Sequence, residues 1–346
     1  MNSGIAYALL GAVLFGASTP IAKLLVGEIS PLMLAGLLYA GSGLGLGAWL
    51  LLRRWVVPAT RPALAVADYK WLAGAIVSGG VIGPVLLMLA LSAASASTVS
   101  LLLNLEGVFT ALLAWFVFKE NFDRRIALGM LLIVCGGLLL SWPSGGISTS
   151  LPALAVAGAC LCWALDNNLT RKISAGDPVQ IAGIKGLAAG AVNLCASAAI
   201  GSARPAMNSA LAAAAVGFLG YGVSLALFVV ALRLLGTART GAYFATAPFI
   251  GAAASFALFH ETPDTAFWIA AALIASGVAL HIFERHRHTH RHETLAHEHS
   301  HTHDEHHRHE HDFAWDGSEP HSHPHDHVPM THSHEHYPDI HHRHGH

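Results

Sequence analysis

Histidine is missing from the first 259 residues, and charge is scarce there. Only 12% of the chain is Asp, Glu, Lys or Arg. Residues 1–284 hold 14 Lys and Arg and 10 Asp and Glu, too few to give each helix of that length a polar face. That scarcity excludes a water-soluble helical bundle, whose helices need a charged side. Cysteine is limited to Cys135, Cys160, Cys162 and Cys195, all within apolar stretches. Such placement argues for membrane burial and against a disulfide framework. Cys160 and Cys162 would lie about 200° apart around a helix, so the pair makes no single metal site. The opening Met1-Asn2-Ser3-Gly4 lacks a basic leader, so no cleavable signal peptide is expected. No Gly-rich nucleotide motif and no nucleophile–base constellation stands out, which disfavours an enzyme. No cofactor is required by any motif, and no nucleic-acid partner is expected.

Apolar runs fill the space that charge leaves. A membrane-spanning helix needs roughly 20 mainly apolar residues. Ten such stretches can be read, at about 4–25, 32–52, 70–91, 97–118, 125–142, 151–171, 178–200, 209–232, 238–259 and 265–284. The expected fold is therefore an all-α integral membrane protein in a lipid bilayer. Lys and Arg fix its orientation. One set of loops and ends carries Arg53, Arg54, Arg61, Lys70, Lys119, Arg124, Arg125, Arg171, Lys172, Arg233 and Arg239, and the other carries Lys23 and Arg204. This bias predicts both termini in the cytoplasm, in a plasma (inner) membrane. Trp49, Trp55, Trp71, Trp142 and Trp268 fall near span ends, as interfacial anchors do.

The tail reverses the composition. Residues 286–346 hold 23 of the 25 histidines, with few aliphatic residues to bury. His-x-His recurs at His286, His288, His290 and His292, at His297, His299, His301 and His303, and at His321, His323, His325 and His327. Imidazole is a common ligand for zinc, nickel and copper. The tail is expected to be a disordered binder of divalent zinc, nickel or cobalt.

The spanning region reads as a duplication. Gly11-Ala12, Ala17, Ser30-Pro31 and Ala35-Gly36 match Gly158-Ala159, Ala164, Asp177-Pro178 and Ala182-Gly183 at an offset of 147. Ala90-Leu91, Phe118, Glu120 and Gly136 match Ala231-Leu232, Phe259, Glu261 and Gly277 at an offset of 141. Five helices per half force the second half to insert upside down. Inverted repeats are an architecture of secondary transporters, with the substrate site near the midplane. The expected units are residues 1–143, 144–285 and the tail, 286–346.

These features resemble the EamA-type members of the drug/metabolite transporter superfamily. The resemblance rests on Gly11-Ala-Val-Leu-Phe-Gly-Ala-Ser-Thr-Pro20, on Ala245-Thr-Ala-Pro-Phe-Ile-Gly251, and on Phe116-x-x-x-Glu120 with Phe256-x-x-x-x-Glu261. It covers residues 4–284 and implies export of small molecules, usually amino acids or other metabolites, coupled to protons. One departure stands out: Asn104-Leu-Glu106-Gly107 occupies the place of Ala245-Thr-Ala247-Pro248.

Charge within a span is costly, about 2.5–3.5 kcal/mol at a helix centre. Glu106, Asp166 and Lys185 are such charges, and their repeat mates Ala247, Thr19 and Leu38 are neutral. They are the candidate substrate and proton path, with Asn104, Asn167 and Tyr243 as polar neighbours. Lys185 could pair with Glu106 or with Asp166, and such a pair could equally be a packing lock. Asn104, Asn193 and Tyr243 could instead bond neighbouring helices. Gly41, Gly43, Gly45 and Gly47, with Gly186 and Gly190, suit close helix packing. Two functions compete. One is a proton-coupled metabolite exporter with a metal-binding or sensing tail. The other is a divalent metal transporter, for nickel, cobalt or zinc, with the tail as collector. The absence of histidine from residues 1–259 favours the first. A homodimer is compatible with either.

Overall fold

A computed structural model describes residues 3–56, 68–118, 124–141, 150–173, 177–235, 237–282 and, in the tail, 287–291, 296–301, 321–326 and 331–335. Residues 1–284 and 285–346 are separate compact units. The first is helical, and its described residues follow the ten expected spans. Spans 1 and 2 are Ser3–Val26 and Pro31–Val56. Span 3 runs Tyr69–Ala75, a π-helical segment Ile76–Ile82, then Gly83–Ala93. Span 4 is two half-helices, Ala96–Leu102 and Leu105–Phe118. Spans 5, 6 and 7 are Arg124–Ser141, Ser150–Arg171 and Pro178–Ala199. Span 8 is Met207–Val216, a π-helical segment Gly217–Val223 and Ser224–Leu235. Span 9 is again two half-helices, Thr237–Phe244 and Ala247–Phe259, and span 10 is Thr265–Ile282.

Large apolar side chains point outward: Leu44 is 64% exposed, Leu151 66% and Phe116 68%. In water this would be an untenable surface; against lipid it costs nothing. Among the described residues, six continuous stretches are long and apolar enough to cross a bilayer. The molecule is a multi-pass membrane protein.

The duplication recurs in backbone detail. The two π-helical segments, 76–82 and 217–223, are related by the same offset of 141. The breaks in spans 4 and 9 fall at 103–104 and 245–246, one residue away from strict correspondence. A Cβ on Gly136 would lie 2.9 Å from the Ala270 carbonyl oxygen, and one on Gly277 would lie 2.5 Å from that of Gly129. Gly136 and Gly277 are mates, as are Gly129 and Ala270, so the spans 5–10 contact is reciprocal. A two-fold relation between oppositely directed halves produces that reciprocity.

Small residues set the central packing. On span 2, a Cβ on Gly43 would lie 2.3 Å from the Leu187 amide, and one on Gly41 would lie 2.1 Å from the Ala214 carbonyl oxygen. Span 2 is thus wedged between spans 7 and 8 with backbones in contact. Gly47 differs: nothing lies within 4 Å of a Cβ there. Of the anchor tryptophans, Trp49 and Trp268 are outward-facing, and Lys70 sits over the Trp71 ring at 5.0 Å.

In the tail, Arg287–Arg291 (β1) pairs antiparallel with Thr331–Glu335 (β4), and Ala296–His301 (β2) with His321–Asp326 (β3). The His-x-His alternation has period two, which is the strand period, and these four segments use it. His286, His292, His303 and His327 lie outside the described residues.

Candidate functional site

The breaks and the π-helical segments lie within their spans, and each leaves backbone groups that the ladder of a regular helix would have used. At the span 4 break the Asn104 side-chain amide donates to the Leu101 carbonyl, 3.0 Å away. The Cys160 thiol on span 6 lies 3.8 and 3.7 Å from the Leu102 and Leu103 carbonyls and donates weakly to both. The three carbonyls before the break are therefore satisfied from within the protein, as non-helical backbone at membrane depth requires. Asn104 serves its own helix rather than a neighbour. At the span 9 break Thr246 takes the equivalent part, its hydroxyl donating to the Tyr243 carbonyl at 2.6 Å. Tyr243 thus enters the break through its backbone; its ring is half-buried.

Glu106 is in the first turn after the span 4 break, at the positive end of the half-helix Leu105–Phe118. It is half-buried, and Gly107 beside it has nothing within 4 Å of a Cβ position. The Asn167 side-chain amide donates to Oε1 of Glu106 at 2.7 Å. A neutral donor and a helix terminus therefore hold this carboxylate, with no ion pair among the described residues.

Lys185 is elsewhere. Its Nζ contacts both carboxylate oxygens of Asp166, at 2.5 and 2.6 Å. Thr170 also donates to Asp166 Oδ1 at 2.8 Å. Asp166 and Lys185 are 6% and 5% exposed, so this is a closed, neutral pair. The choice left open between Glu106 and Asp166 as partner of Lys185 falls to Asp166. The pair packs on the π-helical part of span 3. A Cβ on Gly79 would lie 2.1 Å from Asp166 Oδ2, so only glycine fits there.

The same π-helical segment organises an aromatic cluster. The Gly79 carbonyl accepts from the Tyr39 hydroxyl at 2.7 Å and from the Trp163 indole at 3.0 Å. Asn193 reaches the next two carbonyls, Gly80 and Val81, at 3.4 Å each, and so does bond across helices. Phe15 lies edge-on to Trp163 and Tyr221, with ring centroids 6.2 and 5.8 Å apart, and Tyr39 is 5.6 Å from Tyr221. The Tyr221 hydroxyl is buried and meets the geometry of a hydrogen bond with none of the described residues; the Ser18 hydroxyl donates to the Phe15 carbonyl. Trp163 is one helical turn from Asn167 on span 6, which links the cluster to Glu106. The sequence reading missed these rings. One available signal was that Trp163 lies mid-span, unlike the tryptophans at span ends.

Among the described side chains, no group of three or more His, Cys, Asp or Glu is placed to hold a metal ion. Cys160 is buried and Cys162 half-buried, both as free thiols. Glu120 lies outside the described residues.

Paired broken helices, paired π-helical segments and a central polar and aromatic site in an inverted repeat define a secondary-transporter architecture. Its particular family follows from comparison. Residues 2–142 and 150–283 each match the EamA-like transporter family, and the chain belongs to it. A curated relative from Methanothermobacter thermautotrophicus, described as an uncharacterized transporter, is 30% identical over 206 residues. That match takes in 57% of this chain and 60% of the relative, so the chain spans under two thirds of that relative's length. A solved crystal structure aligns with a TM-score of 0.59 over 80% of this chain and 95% of its own, at 21% identity, a likeness of fold.

Proposed function

We propose that this transporter exports a small amino acid-like metabolite across the plasma (inner) membrane, driven by protons, with both termini in the cytoplasm. Glu106 carries the coupled proton. The observation that supports this is the contrast between the two intramembrane carboxylates. Asp166 is held by an ammonium, and releasing it would strand a buried charge. Glu106 is half-buried, sits at a helix break and is bonded by a neutral amide, so it can gain and lose a proton without breaking an ion pair. The aromatic rings, which include Trp163 one helical turn from Asn167, offer an apolar wall for a substrate's side chain. The span residues hold no set of metal-ligating side chains among those described, so a metal ion as the cargo has nothing to support it.

The test uses purified protein in liposomes with an imposed pH gradient and a panel of radiolabelled amino acids. The parent should accumulate at least one of them. Glu106→Gln, which conserves size and hydrogen bonding, should abolish accumulation and retain exchange of substrate across the membrane without a gradient. Accumulation by Glu106→Gln equal to the parent would remove Glu106 from coupling. No accumulation of any amino acid by the parent would remove that substrate class.

The tail reads as a binder of divalent transition metal. The strand register places His288 opposite His334, His290 opposite His332, and His297, His299 and His301 opposite His325, His323 and His321. Residues directly opposite, and those two apart on one strand, share a face of a ladder. Titration of the full-length protein with zinc, nickel or cobalt should show binding that a chain ending at Glu284 lacks. Equal binding by both would sink the assignment.

A further inference from the structure

Two charged side chains grip the turn between spans 3 and 4. That turn lies at the far end of the bundle, away from the start of span 1 and the end of span 10. Lys23, in the last turn of span 1, donates to the carbonyls of Leu91 and Ala94, the latter at 2.9 Å. These belong to the C-terminal end of span 3, where carbonyls lack helical partners and the dipole is negative. Glu261, just beyond span 9, accepts from the amides of Ala96 and Ser97 at 3.1 and 3.3 Å and from the Ser97 hydroxyl. These are the unpaired donors at the start of span 4. His260 adopts the left-handed conformation, with φ of 50°, as it ends span 9 and turns the chain toward Glu261. Each side of one turn thus meets a charge of complementary sign, and Glu261 comes from the opposite repeat.

Burial differs between one residue of this region and its repeat mate. The half-helix Ala96–Leu102 is buried along its length, with Ser100 only 1% exposed. Gly241, the mate of Ser100 at the offset of 141, is exposed, and a Cβ there would meet nothing within 4 Å. Ser100 is packed where its mate Gly241 is exposed. Arg53 and Asp177 pair at 3.0 Å across the halves near the other end, but they join spans 2 and 7, whose backbones are already in contact through Gly43 and Gly186.

We propose that Glu261 and Lys23 form a latch that holds the far end closed, and that its release is the step that opens the transport path at that end. Its bonds lie at the rim of the bundle, where water can replace them at modest cost. The Asp166–Lys185 pair has no such substitute. This inference rests on the transporter reading and on neither the substrate nor the coupling ion.

The experiment needs no substrate. Ser100→Cys and Gly241→Cys are introduced separately into the full chain. The purified protein in detergent is treated with a water-soluble thiol reagent, and labelling of each site is followed by peptide mass spectrometry. Detergent leaves both ends accessible, so membrane orientation does not enter. Glu261→Gln and Lys23→Met should each speed labelling at Ser100→Cys by about tenfold and slow it at Gly241→Cys, because one equilibrium governs both ends. Faster labelling at Ser100→Cys with Glu261→Gln alone, and no change at Gly241→Cys, would mean local fraying of one helix and would overturn the latch. Unchanged labelling in both variants would overturn it as well. If Glu261→Gln does not survive purification, Ser97→Ala, which removes one of the three bonds to Glu261, takes its place under the same criteria.

Discussion

At the scale of the residue, the intramembrane charges separate by partner. Asp166 and Lys185 neutralise each other within a buried shell that Thr170 completes. Removing one partner of such a pair is expected to cost about 3–5 kcal/mol, because the other is left charged and unpaired. Asp166→Asn should therefore lower the unfolding temperature in detergent sharply. Adding Lys185→Met should restore much of the loss, since no buried charge then remains. Recovery of stability without recovery of transport in the double variant would give the pair a part in the cycle; full recovery of both would make it a packing lock. An Asp166→Asn protein as stable as the parent would contradict the pairing itself. That these three residues are charges within spans was legible in the sequence, and a charge in an apolar span is too costly to persist without a partner or a task. Which carboxylate Lys185 takes was not legible. The two carboxylates lie on different helices, and their approach depends on how spans 4, 6 and 7 pack.

At the scale of the element, glycine position separates contacts that must stay tight from surface that need not. A Cβ on Gly217, where the π-helical part of span 8 begins, would fall 1.9 Å from the Leu38 carbonyl oxygen. The obstacle is backbone and cannot rotate away. Gly217→Ala should force spans 2 and 8 apart, at about 1–3 kcal/mol, the usual cost of overpacking. Gly47→Ala, on the same span 2, meets nothing within 4 Å and should be neutral or stabilising by about 1 kcal/mol through helix propensity. Thermal unfolding of the two variants side by side checks this; equal destabilisation would contradict the packing described. The glycine spacing announced close packing on span 2, and Gly41 and Gly43 fulfil it. Gly47 carries the same spacing and touches nothing, since spacing places a residue on a face without saying what stands opposite. The π-helical segments and broken spans were not legible either. They arise where carbonyls such as Gly79 find better partners in Tyr39 and Trp163 than in their own helix.

At the scale of the whole molecule, ten spans were countable because a bilayer fixes both the length and the composition of whatever crosses it. The inverted duplication was countable too, since an odd number of spans per repeat admits no other arrangement. The orientation in the membrane rests on charge: eleven Lys and Arg on one set of loops and ends, against Lys23 and Arg204 on the other. Even the two exceptions are informative, because Lys23 spends its charge on the carbonyls of Leu91 and Ala94 rather than on a cytoplasmic surface. The rule acts through positive charge close to span ends, and the proposed cytoplasmic position of the near end rests on it. A reporter that is active only inside the cell, fused after Glu284, should be active, and one that works only outside should be silent. The same fusion after Gly201, in the turn between spans 7 and 8, should give the opposite result. Agreement at both points requires an odd number of crossings between the two sites, which spans 8, 9 and 10 supply. Activity of the outside reporter at Glu284 would reverse the orientation, and with it the side from which substrate is collected.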